Sequence, residues 1–209
     1  MKATIYFDGA CMPYNPGGIA TYGFVIYTED GKKFTGSGIA SEKGTNNIAE
    51  YTALIKALEK AIELGIIEAT VKGDSQLAIY QMNGIYEVRS SNIIPLYEKA
   101  IELCKHFKEI RFQWIPRNEN KEADTLSEKV YLEYWERKNL KKLNTIKEWK
   151  RIEKGIYEIN GYLVDLNKKT CDCEFFKKML NNPLHKRSGI IIKCKHILFA
   201  ENLEKEHKF

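Results

Sequence analysis

The sequence predicts an α/β fold: a five-stranded mixed sheet, built from a three-stranded antiparallel meander plus parallel strands, flanked by helices and followed by a small metal-binding module. Three observations predict it. Strand patterns precede residue 40, with an alternation of period two over residues 2–8, and hydrophobic residues recur with helical period from Asn47 to Gly65. A further strand follows that helix, as in a crossover between parallel strands. A Cys-x-Cys and a Cys-x-His pair lie near the carboxyl end.

The first three elements are predicted as strands. Residues 2–8 alternate apolar and polar positions, residues 22–27 are aromatic and β-branched, and residues 33–39 make a third strand after a hairpin signal. Residues 29–32 carry a hairpin signal between the second and third strands. Residues 11–18 contain two prolines and two glycines and are predicted to be a loop. These strands form the expected meander.

The next part of the chain predicts a strand-helix-strand arrangement. A helix from Asn47 to Gly65 follows the third strand and leads to a fourth strand, and a crossover of this kind implies that the first and fourth strands are parallel and adjacent. The remaining predicted elements are a fourth strand at 69–74, helices at 76–83 and 92–107, a fifth strand at 110–114 and a last helix, capped by Asn120, that runs to about Arg137.

The 209 residues carry a formal net charge of +5 that is unevenly distributed. Residues 1–136 hold 15 Lys and Arg against 19 Asp and Glu, a balance of −4, whereas residues 137–209 hold 18 against 9, a balance of +9. This basic tail is either an electrostatic handle for nucleic acid or a well-solvated lysine-rich surface.

The sequence predicts a cytoplasmic protein with no membrane partner. It has no run of eighteen apolar residues, and the first twenty-five residues lack the pattern of a secretory signal. Disulfides are rare in the cytosol, so the cysteines are expected to be free thiols or metal ligands.

Four carboxylates stand out by their positions: Asp8, Glu50, Asp74 and Asp124. Asp8 and Asp74 end the first and fourth predicted strands, at the sheet edge where α/β proteins bind ligands. Glu50 lies in the first turn of a predicted helix, and Asp124 opens the last one. Converging acids repel one another unless a cation lies among them, and carboxylate oxygens suit Mg²⁺ or Mn²⁺.

Four short runs around these acids resemble the motifs of type 1 ribonuclease H. They are Tyr6–Cys11, Thr45–Glu50, Gly73–Gln76 and Lys121–Asp124, and the resemblance covers Met1 to about Tyr134. It implies an RNase H-like fold and an endonuclease that hydrolyses the RNA strand of an RNA/DNA hybrid, leaving 5′-phosphate ends. It also implies two Mg²⁺ or Mn²⁺ ions, one preparing the attacking water and one stabilising the leaving oxygen.

The resemblance also assigns roles to individual residues. The catalytic residues, which are also the ligands of the two ions, would be Asp8, Glu50, Asp74 and Asp124. Residues lining the minor groove of the RNA strand, where the 2′-hydroxyl distinguishes RNA from DNA, would be Cys11, Asn15, Asn46, Asn47 and Gln76. Thr45 would hold a DNA phosphate.

Several of these assignments have alternatives. Asn46 and Asn47 are also suited to cap a helix, and Cys11 to be a small buried hydrophobe. Two features depart from the family pattern. The loop before Asp124 lacks the histidine that many relatives carry there to help the product leave, and Arg117 is a candidate for part of that role. Residues 85–91 are too few to form the basic protrusion with which some relatives grip the hybrid.

The carboxyl-terminal part predicts a structural zinc site. Cys171, Cys173, Cys194 and His196 supply three thiolates and one imidazole, a closed tetrahedral set for one Zn²⁺. The spacing resembles a SWIM zinc finger over about residues 155–202, preceded by a hairpin signal at Asn160-Gly161. The alternative is four unconnected residues.

Other candidate ligands are weaker. Cys104 is expected in a helical core, and of the remaining histidines only His185 competes as a ligand, since His106 and His207 are expected at the surface. The predicted domains are a ribonuclease H domain at 1–137, a basic linker at 138–154 and the zinc module at 155–209.

Three functions are therefore weighed. The first is an active ribonuclease H whose zinc module adds binding to nucleic acid or protein. The second is a catalytically weak or silent hybrid-binding protein, which the complete set of carboxylates disfavours. The third is another nuclease of the same superfamily, which the Thr45-Asn46-Asn47 run disfavours.

Overall fold

The computed structural model describes residues 1–206, apart from the side chains of residues 183, 187 and 188. The chain forms two compact units, Met1–Tyr131 and Leu132–Phe209. The predicted domain bounds at 137 and 155 remain predictions, but part of the predicted linker is not irregular, because residues 149–153 are a strand of the second unit.

The first unit contains the predicted five-stranded mixed sheet. Its strands, in chain order, are β1 (Lys2–Met12), β2 (Gly18–Thr28), β3 (Lys33–Gly44), β4 (Glu68–Gly73) and β5 (Glu109–Trp114). Their order across the sheet is β3-β2-β1-β4-β5. The meander β1-β2-β3 is antiparallel, and β1 pairs with β4, and β4 with β5, in parallel. This architecture confirms the predicted fold class.

The first three strands are longer than predicted. The β1–β2 ladder continues to the pair Met12 and Ile19, so the irregular segment shrinks to residues 13–17. Proline cannot donate to a ladder, so Pro13 marks the end of β1. The Gly-rich end of the predicted loop instead starts β2, where Gly18 pairs with Gly44 of β3.

The helices follow the predicted order. They are α1 (Asn46–Glu63), α2 (Gln76–Met82), α3 (Ile94–Cys104) and α4 (Lys121–Leu140). Helix α1 carries a buried stripe that includes Tyr51, Leu54 and Leu58, and it packs against Ile5 and Phe7 of β1 in one hydrophobic core. The packing of α1 on the central strand fixes where its first turn lies.

The second unit has its own sheet and its own core. Its strands are β6 (Trp149–Glu153), β7 (Ile156–Ile159), β8 (Tyr162–Asp165) and β9 (Thr170–Cys171), and its helices are α5 (Glu174–Leu180), α6 (Pro183–Ser188) and α7 (Lys195–Glu206). The predicted hairpin is confirmed: Asn160 and Gly161 both have positive φ, 49° and 76°, between β7 and β8. Its core includes Tyr157, Phe176 and three cysteines.

Within residues 1–206, no helix combines the length and the apolar composition needed to cross a bilayer.

Candidate active site and candidate zinc site

The parallel pairing of β1 and β4 brings two of the four carboxylates to one edge of the sheet. Tyr6 pairs with Lys72 in that ladder, and Asp8 and Asp74 each lie two residues farther on. Asp74 directly follows β4, as predicted, but Asp8 does not end its strand, because β1 stays paired with β2 as far as Met12. Asp8 is only 2% exposed, although an ionised carboxylate is rarely buried without a partner. The point where the β1–β4 pairing ends therefore presents a buried acid close to a second acid.

Helix α1 brings Glu50 to the same edge. Thr45 caps this helix, because its Oγ1 accepts a hydrogen bond of 3.2 Å from the backbone N–H of Ile48. The first turn then rests directly on Gly9: a Cβ atom added at Gly9 would lie 2.2 Å from the backbone nitrogen of Glu50. Gly9 is required here because any side chain would push Glu50 away from Asp8.

Helix α4 brings the fourth acid, Asp124, in its first turn. This helix is in close contact with β2, because a Cβ atom added at Gly23 would lie 2.5 Å from the backbone oxygen of Ala123. Arg117, in the loop before α4, forms an ion pair with Asp124. Its guanidinium is the cation that the loop places beside the acids.

Burial and neighbouring acids raise the pKa of two of the carboxylates, Asp8 and Glu50. Burial, with the charges of Asp74 and Asp124, raises the pKa of Asp8 to about 7, and a hydrogen bond from Ser127 opposes that shift. Burial, together with Asp8 and Asp74, raises the pKa of Glu50 well above its usual range. Both shifts mean that burial and nearby negative charge disfavour the ionised carboxylates of Asp8 and Glu50, with too little positive charge to offset them.

The residues present fit a divalent cation. The donor set consists of hard carboxylate oxygens, and Oε2 of Glu50 is buried with no hydrogen-bond partner among the described residues. A buried, unpartnered carboxylate oxygen is costly, and an ion at that oxygen removes the cost.

Three side chains that support the acids were not predicted for this role. Nδ2 of Asn120 donates to Oδ1 of Asp74 at 2.6 Å and to the backbone oxygen of Phe7 at 2.8 Å, so Asn120 joins Asp74 to β1 instead of serving as the predicted side-chain cap. Ser127 donates to Asp8, and Nε1 of Trp114 donates to the backbone oxygen of Asp74 at 3.1 Å. These contacts join residues far apart in the chain, so no local sequence signal indicates them.

The predicted substrate residues fall into two groups. Four of them surround the start of α1. Oδ1 of Asn46 accepts from the backbone N–H of Cys11 at 2.7 Å, and Oδ1 of Asn15 accepts from that of Asn46 at 3.1 Å. Cys11 is buried, with its thiol 3.1 Å from the backbone oxygen of Tyr14, and the helix cap is Thr45. These contacts fix the loop beside Glu50.

The second group is exposed. Asn47 lies in the first turn of α1, and Gln76 begins α2 directly after Asp74 and Ser75. The side chain of Arg117 is half exposed. These side chains border the carboxylates and are accessible to a ligand.

The predicted zinc ligands come together in the second unit. Their four ligand atoms lie within 4.8 Å of one another, and all four residues are buried: Cys171, Cys173, Cys194 and His196. The Sγ atom of Cys171 is 3.7 Å from Nδ1 of His196. A tetrahedral Zn²⁺ with ordinary bond lengths separates such a sulfur and nitrogen by about 3.6 Å.

The local fold positions each ligand. Cys171 ends β9, Cys173 directly precedes α5, Cys194 directly precedes α7, and His196 is in the first turn of α7. Oδ1 of Asp172 accepts a hydrogen bond of 2.9 Å from the backbone N–H of Leu163 on β8, which fixes the Cys-Asp-Cys turn.

The chemistry of the cluster also fits zinc. The three thiols share hydrogen bonds without the metal: those from Cys171 and Cys194 lower the pKa of the Cys173 thiol, while the pKa values of Cys171 and Cys194 are raised. A bound cation would favour the thiolate form of all three. The ring of His196 lies 4.9 Å from the ring of Tyr162, and its Nε2 is buried without a hydrogen-bond partner in the described part of the chain.

The other candidates lie elsewhere. Cys104 packs against the core of the first unit, as expected, and burial raises the pKa of its thiol to about 11. His106 is exposed, as predicted, and His185 lies on α6, outside the four-residue cluster. His207 lies outside the described residues.

Comparisons with known proteins agree with this geometry. Residues 6–130 match the family model described as reverse transcriptase-like. The bifunctional protein Rv2228c of Mycobacterium tuberculosis is 40% identical over 128 residues, which are 61% of this chain and 35% of that protein. The chain thus matches about a third of the length of this curated relative.

Two solved structures resemble the first unit. RNase H1 of Halobacterium salinarum has a TM-score of 0.59 and 32% identity, covering 63% of this chain and 98% of that one. LC11-RNase H1, solved in complex with an RNA/DNA hybrid, has a TM-score of 0.56 and 32% identity, and the match covers 61% of this chain and 94% of that one. The matched stretch includes all four carboxylates, and the chain belongs to the reverse transcriptase-like family, with the fold of the type 1 ribonucleases H.

Proposed function

We propose that this protein is a ribonuclease H that hydrolyses the RNA strand of RNA/DNA hybrids with two divalent metal ions. One observation carries the proposal: Asp8, Glu50, Asp74 and Asp124 meet at one sheet edge, with Asp8 and one oxygen of Glu50 buried. Buried carboxylates that repel one another are unfavourable without a cation, and a bound cation removes most of that cost. The similarity to LC11-RNase H1, which binds a hybrid, supports the substrate class.

The two ions, when bound, supply an activated water and stabilise the leaving 3′ oxygen, so that the products carry 5′-phosphate and 3′-hydroxyl ends. The protein's own residues hold those ions and orient the strand. Asp8 lies within β1 and Asp74 directly follows β4, whereas Glu50 lies in α1 against Gly9 and Asp124 lies in the first turn of α4, which rests on β2. Rigid elements of this kind keep ligands at productive geometry.

We propose that the side-chain amides near the carboxylates distinguish RNA from DNA by contacting the 2′-hydroxyl. Asn15, Asn46, Asn47 and Gln76 are exposed, and an amide can both donate to and accept from a 2′-hydroxyl. Thr45 is proposed to hold a DNA phosphate. Arg117, paired with Asp124, is proposed to take part of the role of the loop histidine found in relatives.

The test uses a labelled RNA/DNA hybrid with Mg²⁺ or Mn²⁺, beside duplex RNA and duplex DNA. We expect cleavage of the hybrid's RNA strand alone, and none by Asp8→Asn or Asp74→Asn, because an amide is a neutral and poorer metal ligand of similar size. Full activity in either variant would contradict the assignment of Asp8 and Asp74 as ligands of catalytic metal ions. Hybrid binding without cleavage in the wild type would indicate a silent hybrid-binding protein, and cleavage of duplex DNA another nuclease.

We also propose that about residues 155–202, within the second unit, form a SWIM-type module with one structural Zn²⁺. The buried three-thiol, one-imidazole cluster supports it. Such a module adds binding to nucleic acid or to protein, and the balance of +9 in residues 137–209 favours nucleic acid.

A further inference from the structure

Ser127 of α4 places a buried hydroxyl against the most buried of the four carboxylates. Its side chain has no exposed surface, and its Oγ donates a hydrogen bond to Oδ2 of Asp8. The same Oγ lies 2.9 Å from the backbone oxygen of Asp124. One hydroxyl therefore contacts two of the four acidic residues.

Gly23 of β2 makes room for this contact. Asp8 pairs with Gly23 across the β1–β2 ladder. A Cβ atom at Gly23 would lie 2.7 Å from the backbone nitrogen of Ser127. The missing side chain at Gly23 thus lets α4 approach β2 closely enough for Ser127 to reach the neighbouring Asp8.

A structural role alone does not account for a serine here. Serine is a poorer helix former than alanine, and burying a hydroxyl is unfavourable unless it is hydrogen-bonded. A helix carbonyl satisfies such a hydroxyl, as it does for the exposed Thr125, whose Oγ1 donates to the backbone oxygen of Lys121 at 2.7 Å. Ser127 makes the corresponding contact with Asp124 and in addition reaches a carboxylate.

The hydroxyl has one hydrogen, which it can donate fully to only one of two acceptors, Oδ2 of Asp8 or the backbone oxygen of Asp124. A hydrogen bond to an ionised carboxylate is about twice as strong as one to a neutral acceptor. Metal binding requires the ionised form of an acidic ligand. The hydrogen therefore goes to Asp8 whenever Asp8 acts as a metal ligand.

We propose that Ser127 is a positioning residue for Asp8, donating to Oδ2 so that the carboxylate is held in one orientation and Oδ1 remains available to a divalent ion. The inference rests on the proposed metal-dependent function. Ser127 touches neither substrate nor metal in this scheme and acts only through Asp8. Hydrogen-bond partners of metal ligands typically contribute about 10- to 100-fold to metal affinity or activity.

The test compares Ser127→Ala with Thr125→Ala, which removes a hydroxyl from the same helix without touching a carboxylate. Mg²⁺ or Mn²⁺ binding to the full chain is measured by titration calorimetry, and kcat and KM are measured on a hybrid. We expect Ser127→Ala to bind the ion about 10- to 100-fold more weakly and to have a lower kcat at fixed metal concentration, with KM for the hybrid unchanged. Thr125→Ala should match the wild type.

The outcomes separate this inference from the proposed function. Wild-type metal affinity in Ser127→Ala, or an equal reduction in Thr125→Ala, would overturn the positioning role while leaving nuclease activity intact. A wild-type protein that does not cleave hybrids would overturn the function, and the metal titration would still decide the role of Ser127. If Ser127→Ala does not fold, Ser127→Cys keeps the volume with a weak donor; unchanged metal affinity in that variant would equally overturn the inference.

Discussion

At the scale of single residues, the site is defined by carboxylates that the fold buries against their preference for water. Asp8 shows this most clearly, since its pKa is raised to about 7 by burial first and by Asp74 and Asp124 second. An aspartate of an unfolded chain titrates near about 3.9. The fold therefore stores a cost at Asp8 that a bound cation would relieve.

This cost predicts an unusual pH dependence for the metal-free protein. Between the two pKa values the folded state holds a proton that the unfolded chain has released. The stabilising contribution of Asp8 is therefore full below about pH 4 and is lost as pH rises to about 7. We expect the free energy of unfolding in buffer free of Mg²⁺ and Mn²⁺, with zinc retained, to fall by up to roughly 3 kcal/mol between about pH 5 and pH 7 from this group.

Urea unfolding at about pH 5 and pH 8, in buffer without Mg²⁺ or Mn²⁺ and without a chelator, measures the effect. The control is Asp8→Asn, whose amide does not titrate, and which should be more stable than the metal-free wild type at the higher pH. Equal pH dependence in both proteins would contradict the prediction. Added Mg²⁺ at the higher pH should stabilise the wild type more than the variant, because only the wild type keeps the complete ligand set.

At the scale of elements, the site depends on two helices that rest on glycines of the sheet. The first turn of α1 contacts Gly9, and α4 contacts β2 at Gly23. In both cases the absent side chain, and not backbone flexibility, is what matters, because the added Cβ would overlap backbone atoms of the helix. The positions of Glu50 and Asp124 are thereby coupled to those of the strands.

Gly9→Ala is expected to displace α1 and Glu50. The displacement should cost about 1–3 kcal/mol of stability and at least about 100-fold in kcat, because a shift of roughly 1 Å suffices for such a reduction. The control is Gly31→Ala in the β2–β3 turn, which has a φ of +80° and open space around it. It should cost about 1–2 kcal/mol with activity retained. Equal activity in the two variants would contradict the coupling.

The second element-scale prediction concerns the zinc cluster. We expect one Zn²⁺ per chain in metal analysis of gently purified protein, and unfolding of the second unit by a strong chelator, because structural zinc supplies folding free energy. Cys194→Ser should release the ion, whereas Cys104→Ser, which changes a cysteine of the first unit, should keep it. Zinc retained in Cys194→Ser, or absent from the wild type, would contradict the assignment.

At the scale of the whole molecule, charge is separated between an acidic first part and a basic tail. Residues 1–136 sum to −4, yet the proposed substrate is a polyanion, and residues 137–209 sum to +9. The segment 85–91, where a basic protrusion would lie, contains one cation, Arg89. We therefore expect the tail to supply most of the affinity for the phosphate backbone.

A chain ending after Leu140, the last residue of α4, tests this expectation. It should keep the chemistry with kcat little changed, but raise KM for the hybrid, which is the pattern expected when uniform binding is removed. Its affinity should also depend less on salt, by about 0.7–0.9 in the logarithmic slope for each phosphate that the tail no longer neutralises. Identical affinities and slopes for both chains would instead identify the tail as a protein-docking module.

Much of this molecule follows from local sequence patterns. The change of hydrophobic period from two to 3.6, the order of elements and the Asn160-Gly161 turn are short-range signals, and the fold class and the hairpin agree with them. The parallel placement of β1 and β4 also follows, since a crossover of that length allows little else. The sequence therefore predicted that Asp8 and Asp74 share an edge.

Only the tertiary structure decided how the acids are supported. Asn120, predicted as a helix cap, instead joins Asp74 to the backbone of Phe7, and Ser127 reaches Asp8 from 119 positions away. The loop predicted at residues 11–18 proved to be partly paired strand, and part of the predicted linker became β6. Such contacts depend on how closely helices and strands approach one another, which a pattern of neighbouring residues does not encode, because packing distance is set jointly by residues remote in the chain.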